Sequence, residues 1–195
     1  MNLVRKQQKG VLGIDPGLDG GFVIVSPNGE ILERHVMPTI ESTKRTKKKQ
    51  KDGTVKDASS TKRFIDLVEL NRIFVTLKVK TDHAFMEQVA SRPGMSAPSV
   101  FKFGRVYGIL EALLTAHQMP YTLVTPQKWT KSIHAGIEGG LEPKKKSLMA
   151  LNRLFPTVDL RLKETHSKPH EGLMDAFLIA VWGKRYLQSL DLDTE

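Results

Sequence analysis

Cysteine is absent from the 195 residues, which removes disulfides, thiolate zinc sites and a cysteine nucleophile together. No long apolar run follows the Lys and Arg near the N-terminus, so the layout of a signal peptide is missing. The longest apolar stretch, Leu173 to Trp182, is interrupted by Asp175 and is too short to cross a bilayer. A soluble, cytoplasmic protein is therefore expected. Acidic residues are also in deficit: 21 Asp and Glu face 30 Lys and Arg, giving a net charge of +9. Such an excess favours polyanionic partners, although ribosomal proteins, nucleases and many binding proteins share it. Internal repeats are missing too, and a single domain spanning 1–195 suits the length.

What the chain does contain is a sequence of short strands and longer helices. Gly10 to Asp15 and Gly21 to Ser26 read as strands around a Gly-rich turn, and Pro27-Asn28-Gly29 signals another tight turn. Glu30 to Met37 follows as a third strand of an antiparallel meander. Between residues 39 and 60 the apolar pattern vanishes. Here Lys44, Arg45, Lys47, Lys48, Lys49 and Lys51 form a dense basic run, read as a flexible loop. Helical spacing returns with Phe64, Val68, Ile73 and Leu77. His83 to Val89 is a fourth strand, Pro98 to Gln118 a helix, and Tyr121 to Val124 a fifth strand. Thr125-Pro126-Gln127-Lys128-Trp129 then opens a short helix, and Lys144 to Phe155 and Glu171 to Leu190 are the last two. This order predicts an α/β fold: a five-stranded mixed sheet, its three N-terminal strands antiparallel, with helices on its faces.

Against that apolar background three acids stand out. Asp15 ends the strand Val11-Leu12-Gly13-Ile14, Glu87 follows Ala84-Phe85-Met86, and Asp175 interrupts the apolar helix Gly172 to Trp182. Burying an unpaired carboxylate costs several kcal/mol, on the order of an ion's effective desolvation. Each acid alone has an ordinary explanation, as a turn residue, an arginine's partner or part of an exposed stripe. Three in the same apolar setting are better explained together. Glu171 precedes Asp175 by one helical turn, so the two can share a face. Carboxylates from two strands and a packed helix then meet at one sheet end, an oxygen donor set suited to Mg²⁺ or Mn²⁺.

Val-Leu-Gly-Ile-Asp-Pro-Gly-Leu, Phe-Met-Glu-Gln-Val, Val-Thr-Pro-Gln-Lys-Trp and His-Glu-Gly-Leu-Met-Asp-Ala-Phe-Leu-Ile-Ala occur in this order. Between about Gly10 and Tyr186 the chain thereby resembles the RuvC-like Holliday junction resolvases, most of all their bacteriophage branch, within the RNase H-like superfamily. The resemblance implies an RNase H-like fold and a homodimer that holds branched DNA, four-way junctions first and forks second. It also implies two Mg²⁺ ions per active site, with Mn²⁺ as a substitute, and hydrolysis to 5′-phosphate and 3′-hydroxyl ends. Carried over, Asp15, Glu87 and Asp175 match the metal-binding acids. Where many members place Asp or His three residues before the last Asp, this chain has Gly172, so Glu171 is taken as the fourth catalytic acid, with His170 as its alternative. Lys146 resembles a lysine that assists near the scissile phosphate, and a second such lysine falls near Lys131. Some members carry an aromatic three residues after the strand Glu, for stacking on a base; here that position is Ala90.

The remaining basic residues suit the same partner. The run from Lys44 to Lys51 would track phosphates as an arm, and Lys144 and Lys145, after Pro143, sit where a helix N-terminus offers free N–H groups to an anion. Arg92, just beyond the strand acid, is a further candidate contact. Asp19 is read as a turn residue and Trp129 as a core anchor. The helix from Val100 to Leu114 is expected to be core on one side and dimer surface on the other, with Gly104, Gly108 and Ala112 permitting close approach. Two rival classes share part of this pattern. An actin-like nucleotide-binding ATPase uses similar strand-Asp-x-Gly loops, but needs two lobes. A branched-DNA-binding protein without catalysis would have no use for clustered acids, which repel phosphate.

Overall fold

The computed structural model describes residues 8–49, 55–90 and 94–192. Lys51 and Arg92 lie outside the described residues, and Lys48 and Lys49 are described in backbone only. The five-stranded sheet has the order β3-β2-β1-β4-β5, built from β1 (Gly10–Asp15), β2 (Gly21–Val25), β3 (Ile31–Val36), β4 (Thr81–Glu87) and β5 (Tyr121–Val124). β1 pairs antiparallel with β2, and β2 with β3, as the meander required. β1 and β4 run parallel, as do β4 and β5. The C-terminal ends of these three parallel strands therefore point the same way, which places Asp15 and Glu87 at one edge. In open α/β sheets that edge is where ligands collect.

Helices cover both faces. α1 (Leu67–Lys80) and α2 (Ala97–Ala116) lie on one, burying Leu70, Phe74, Leu77, Val106, Leu110 and Leu114 against Leu12, Ile14, Phe22 and Ile24. α3 (Pro126–Ile133), α4 (Pro143–Leu154) and α5 (Glu171–Leu192) lie on the other. Along α5, every residue from Gly172 to Gly183 is buried except Asp175. Gly13 explains how the helix comes so close: a Cβ there would stand 1.9 Å from the Ala176 carbonyl oxygen and 2.5 Å from the Ala180 nitrogen. α5 thus rests backbone to backbone on β1.

Two expectations need correcting. Residues 39–60 are not a structureless loop: Thr39–Lys49 and Val55–Ile65 are two paired antiparallel strands, here called the ribbon, forming a separate two-stranded sheet. Thr and Val supply strand propensity there, but residues 41–47, 57 and 59–63 are exposed, so no apolar alternation marks the strands. The helix expected from Phe64 begins instead at Leu67, because Asp66 caps it, its carboxylate accepting the N–H groups of Val68 and Glu69 at 3.1 and 3.0 Å. Phe64 belongs to the ribbon, and Val68 is exposed; the buried stripe is Leu70, Ile73, Phe74 and Leu77.

Candidate active site

Asp15, Glu87 and Asp175 share one electrostatic neighbourhood at the C-terminal edge of the parallel strands. Burial first, then the charges of Asp175 and Glu87, hold the Asp15 carboxyl well above the usual carboxylate range. Burial likewise pushes Asp175 up to about 6, with a hydrogen bond from Ser147 opposing it and the charges of Glu87 and Glu171 adding to it. Asp175 Oδ1 is buried without a hydrogen-bond partner. A buried acceptor left unpaired is a costly feature. Among the described residues, no three His, Asp or Glu side chains close into a ready metal cage.

Neighbouring side chains hold these acids in place. The Trp129 indole Nε1–H donates to Glu87 Oε1 at 2.9 Å. Trp129 is otherwise buried in the core, as its sequence setting implied, but its hydrogen bond was not anticipated. The signal was present: a buried Trp needs an acceptor for its N–H, and Trp129 follows β5, the strand beside Glu87. Ser147, buried on α4, bonds Asp175 and sits 3.2 Å from His134 Nε2. Burial, and then the charge of Lys146, lower the His134 pKa.

Lys144, rather than Lys146, is the cation whose charge acts on both Asp15 and Asp175. Its ammonium also pairs with Glu171, and that bond and charge raise its own pKa. Glu171 itself has a side chain 59% exposed. Lys146 is half-buried near His134, whereas Lys145 and Lys131 are exposed. His170 caps α5, its Nδ1 accepting the N–H of Leu173 at 3.3 Å. That nitrogen is committed to the helix, while burial lowers the ring's pKa. Gly172 shows why no ligand stands at the third position before Asp175: a Cβ there would lie 2.2 Å from the Asp19 carbonyl oxygen.

Asp19, read as a plain turn residue, has a partner. Arg63 of the ribbon donates to Asp19 Oδ1 at 2.5 Å and ties the ribbon's base to the loop after Asp15. Beyond Glu87 the strand ends open onto a cavity of about 770 Å³ whose lining includes Gln88, Ala90, Met95, Phe103 and Gln127. Ala90 supplies no aromatic surface there, but Phe103 from α2 faces the same space. Lys44, Arg45 and Lys47 are exposed on the ribbon, away from the acids.

The arrangement defines an α/β domain of the RuvC-like, RNase H-like fold. Three solved structures carry that likeness. Against Thermus thermophilus RuvC in complex with a Holliday junction substrate, identity is 14% and the TM-score 0.53, covering 93% of this chain and 96% of that one. Against a second Thermus thermophilus RuvC structure, identity is 17% and the TM-score 0.50, over 92% and 95% of the two chains. The yeast mitochondrial Holliday junction resolvase Ydc2 gives 16% identity and a TM-score of 0.51, over 94% of this chain and 81% of its own. No protein-family model and no curated protein sequence matches the chain. Among the described residues, no helix is long and apolar enough to cross a membrane.

Proposed function

We propose that this protein is a structure-selective DNA endonuclease that resolves four-way junctions by divalent-metal-dependent hydrolysis of phosphodiesters. The observation that carries the reading is the trio Asp15, Glu87 and Asp175, gathered at one sheet edge with Asp175 Oδ1 buried and unpartnered. The likeness to resolvase structures supplies the substrate class. It is a likeness of fold, and the chemistry rests on the acids.

The donor set fits Mg²⁺ or Mn²⁺: all oxygen, several negative charges, and one buried acceptor with nothing else to bind. Asp15, Glu87 and Asp175 would hold the ions, with Glu171 as the outer fourth ligand once Lys144 releases it. Ions held there would supply the charge that activates a water and that stabilises the leaving 3′-oxygen.

The chain's own residues do the rest. Trp129 fixes the direction of Glu87, and Ser147 opposes the upward push on the Asp175 pKa while Oδ1 of that acid stays unpartnered. Lys144, exposed on the first turn of α4 and within the field of the acids, is placed to meet the phosphate. It takes the role first given to Lys146, because two residues along a helix lie about 200° apart. The expected products are a 5′-phosphate and a 3′-hydroxyl. A homodimer suits a two-fold junction. The outward side of α2, with Phe101 73% exposed and open space around Gly104 and Gly108, is the surface available for it.

The direct test is cleavage of matched linear, forked and four-way DNAs with Mg²⁺ and then with EDTA. Paired nicks in the four-way substrate, lost on chelation, are expected. Equal cutting of the linear duplex would remove junction selectivity from the proposal, and cutting that persists in EDTA would remove the metal.

A further inference from the structure

We infer that one face of the two-stranded ribbon, the one bearing Lys44 and Lys62, docks on a duplex arm of the DNA, while the opposite face does not. This rests on the nuclease reading for the identity of the polyanion, but its argument comes from the ribbon's register. The two strands pair without a bulge from Thr39↔Ile65 to Lys49↔Val55. Successive residues therefore alternate between two faces.

Those faces differ in charge. One carries Glu41, Arg45, Lys47, Lys49, Asp57 and Arg63. On it each acid has a basic residue directly across: Glu41 opposite Arg63, Asp57 opposite Lys47. Arg63 is further engaged by Asp19. The other face carries Ser42, Lys44, Thr46, Ser60 and Lys62, with Lys48 directly opposite Lys56, and no acid among the described residues. Like charges directly opposite in an antiparallel pair are destabilising. Among the described residues, no acid stands across from the cations of this face.

The ribbon also lacks the means to stabilise itself by burial. Residues 41–47, 57 and 59–63 are exposed, and a lone two-stranded hairpin is at best marginal in water. An anionic partner along the acid-free face supplies what the chain omits. Its chemistry is that of a duplex rather than a single strand. Single-stranded sites combine cations with stacking aromatics, and no aromatic residue occurs from 41 to 63. A two-stranded ribbon also fits the major groove. Eleven-residue strands reach about 35 Å at the usual rise, far enough to follow an arm away from the acids while Arg63 anchors the base.

The test compares two equal charge removals, Lys44→Gln with Lys62→Gln and Arg45→Gln with Lys47→Gln. Binding to a four-way junction, a linear duplex and a single-stranded oligonucleotide is measured by fluorescence anisotropy across salt concentrations, in EDTA. The first pair should lower the slope of log affinity against log salt by roughly 1.8 on junction and duplex. The second pair should lower it by less than half as much, and the single strand should not distinguish them. Equal slopes for both pairs would overturn the face assignment, and an unchanged slope for the first pair would leave its lysines as solvated surface. An equal loss on the single strand would overturn the duplex partner. If the two pairs differ as expected but the parent never cuts with Mg²⁺, the nuclease reading fails and the ribbon stands. If it cuts and both pairs behave alike, the reverse holds.

Discussion

The sheet edge at Asp15 and the ribbon at Lys44 gather like charges in opposite media. At the edge, Asp15 and Asp175 are desolvated by burial, and the charge of Glu87 raises the cost of ionising both. Along the ribbon, lysines are spread over exposed strands in water, where each repulsion is weak. The first arrangement concentrates its charge and needs a compact, multivalent counter-charge. The second distributes it and needs an extended one. A divalent cation and a nucleic acid backbone answer these two needs, and the Arg63–Asp19 bond links the places where they would bind. Charge density and burial together therefore say more about the partner than net charge does.

The sharpest way to break the comparison is to remove charge from the dense site. Asp15→Asn, Glu87→Gln or Asp175→Asn should each abolish nicking of a four-way junction while leaving junction binding in place. These changes delete metal ligands and no DNA-facing cation. A folded variant that nicks at the parental rate would remove that residue from the ligand set. An intermediate effect is expected at Trp129→Phe, which keeps the packing and deletes the hydrogen bond to Glu87. Losing such a supporting partner costs about 10- to 100-fold in metal affinity. Mn²⁺ binding by calorimetry should weaken accordingly, and nicking should recover at high metal concentration. Unchanged Mn²⁺ affinity would return Trp129 to packing alone.

The smallest effect is on stability. Because the folded protein holds the Asp175 proton up to about pH 6, against an ordinary 3.8, it binds that proton more tightly than the unfolded chain does. The resulting stability is fully present below about pH 4 and is lost as pH rises through about 6, on the order of 3 kcal/mol in the metal-free protein. Asp175→Asn should therefore raise the metal-free melting temperature at pH 7.5 by about 6–12 °C, and bring no such gain at pH 4. Equal shifts at the two pH values would show that the carboxyl's ionisation is not the cause.

Much of this was legible because apolar runs mark buried strands and a charge inside one is conspicuous. β1 and β5 fall where the sequence put them, and Asp15 feels the charges of Asp175 and Glu87. The ribbon was missed for the complementary reason: strands that bury neither face are held by backbone pairing, which leaves no hydrophobic trace. The roles of Trp129 and Lys144 depend on which way a side chain turns from its helix, and motif order does not carry that. Gly172 was noted as a departure from the resolvase pattern. Only the backbone of the loop at Asp19 and Gly20, pressed against it, supplies the cause.

Gly13 has a wider consequence. Its missing carbon sets how far α5, and with it Asp175, stands from the strand that ends in Asp15. The separation of two reactive groups is thus calibrated by a residue that has no chemistry of its own and sits two positions from one of them. Adding a single methyl there would detune the acid pair without altering any charge, an injury that no inventory of functional side chains would trace to its source.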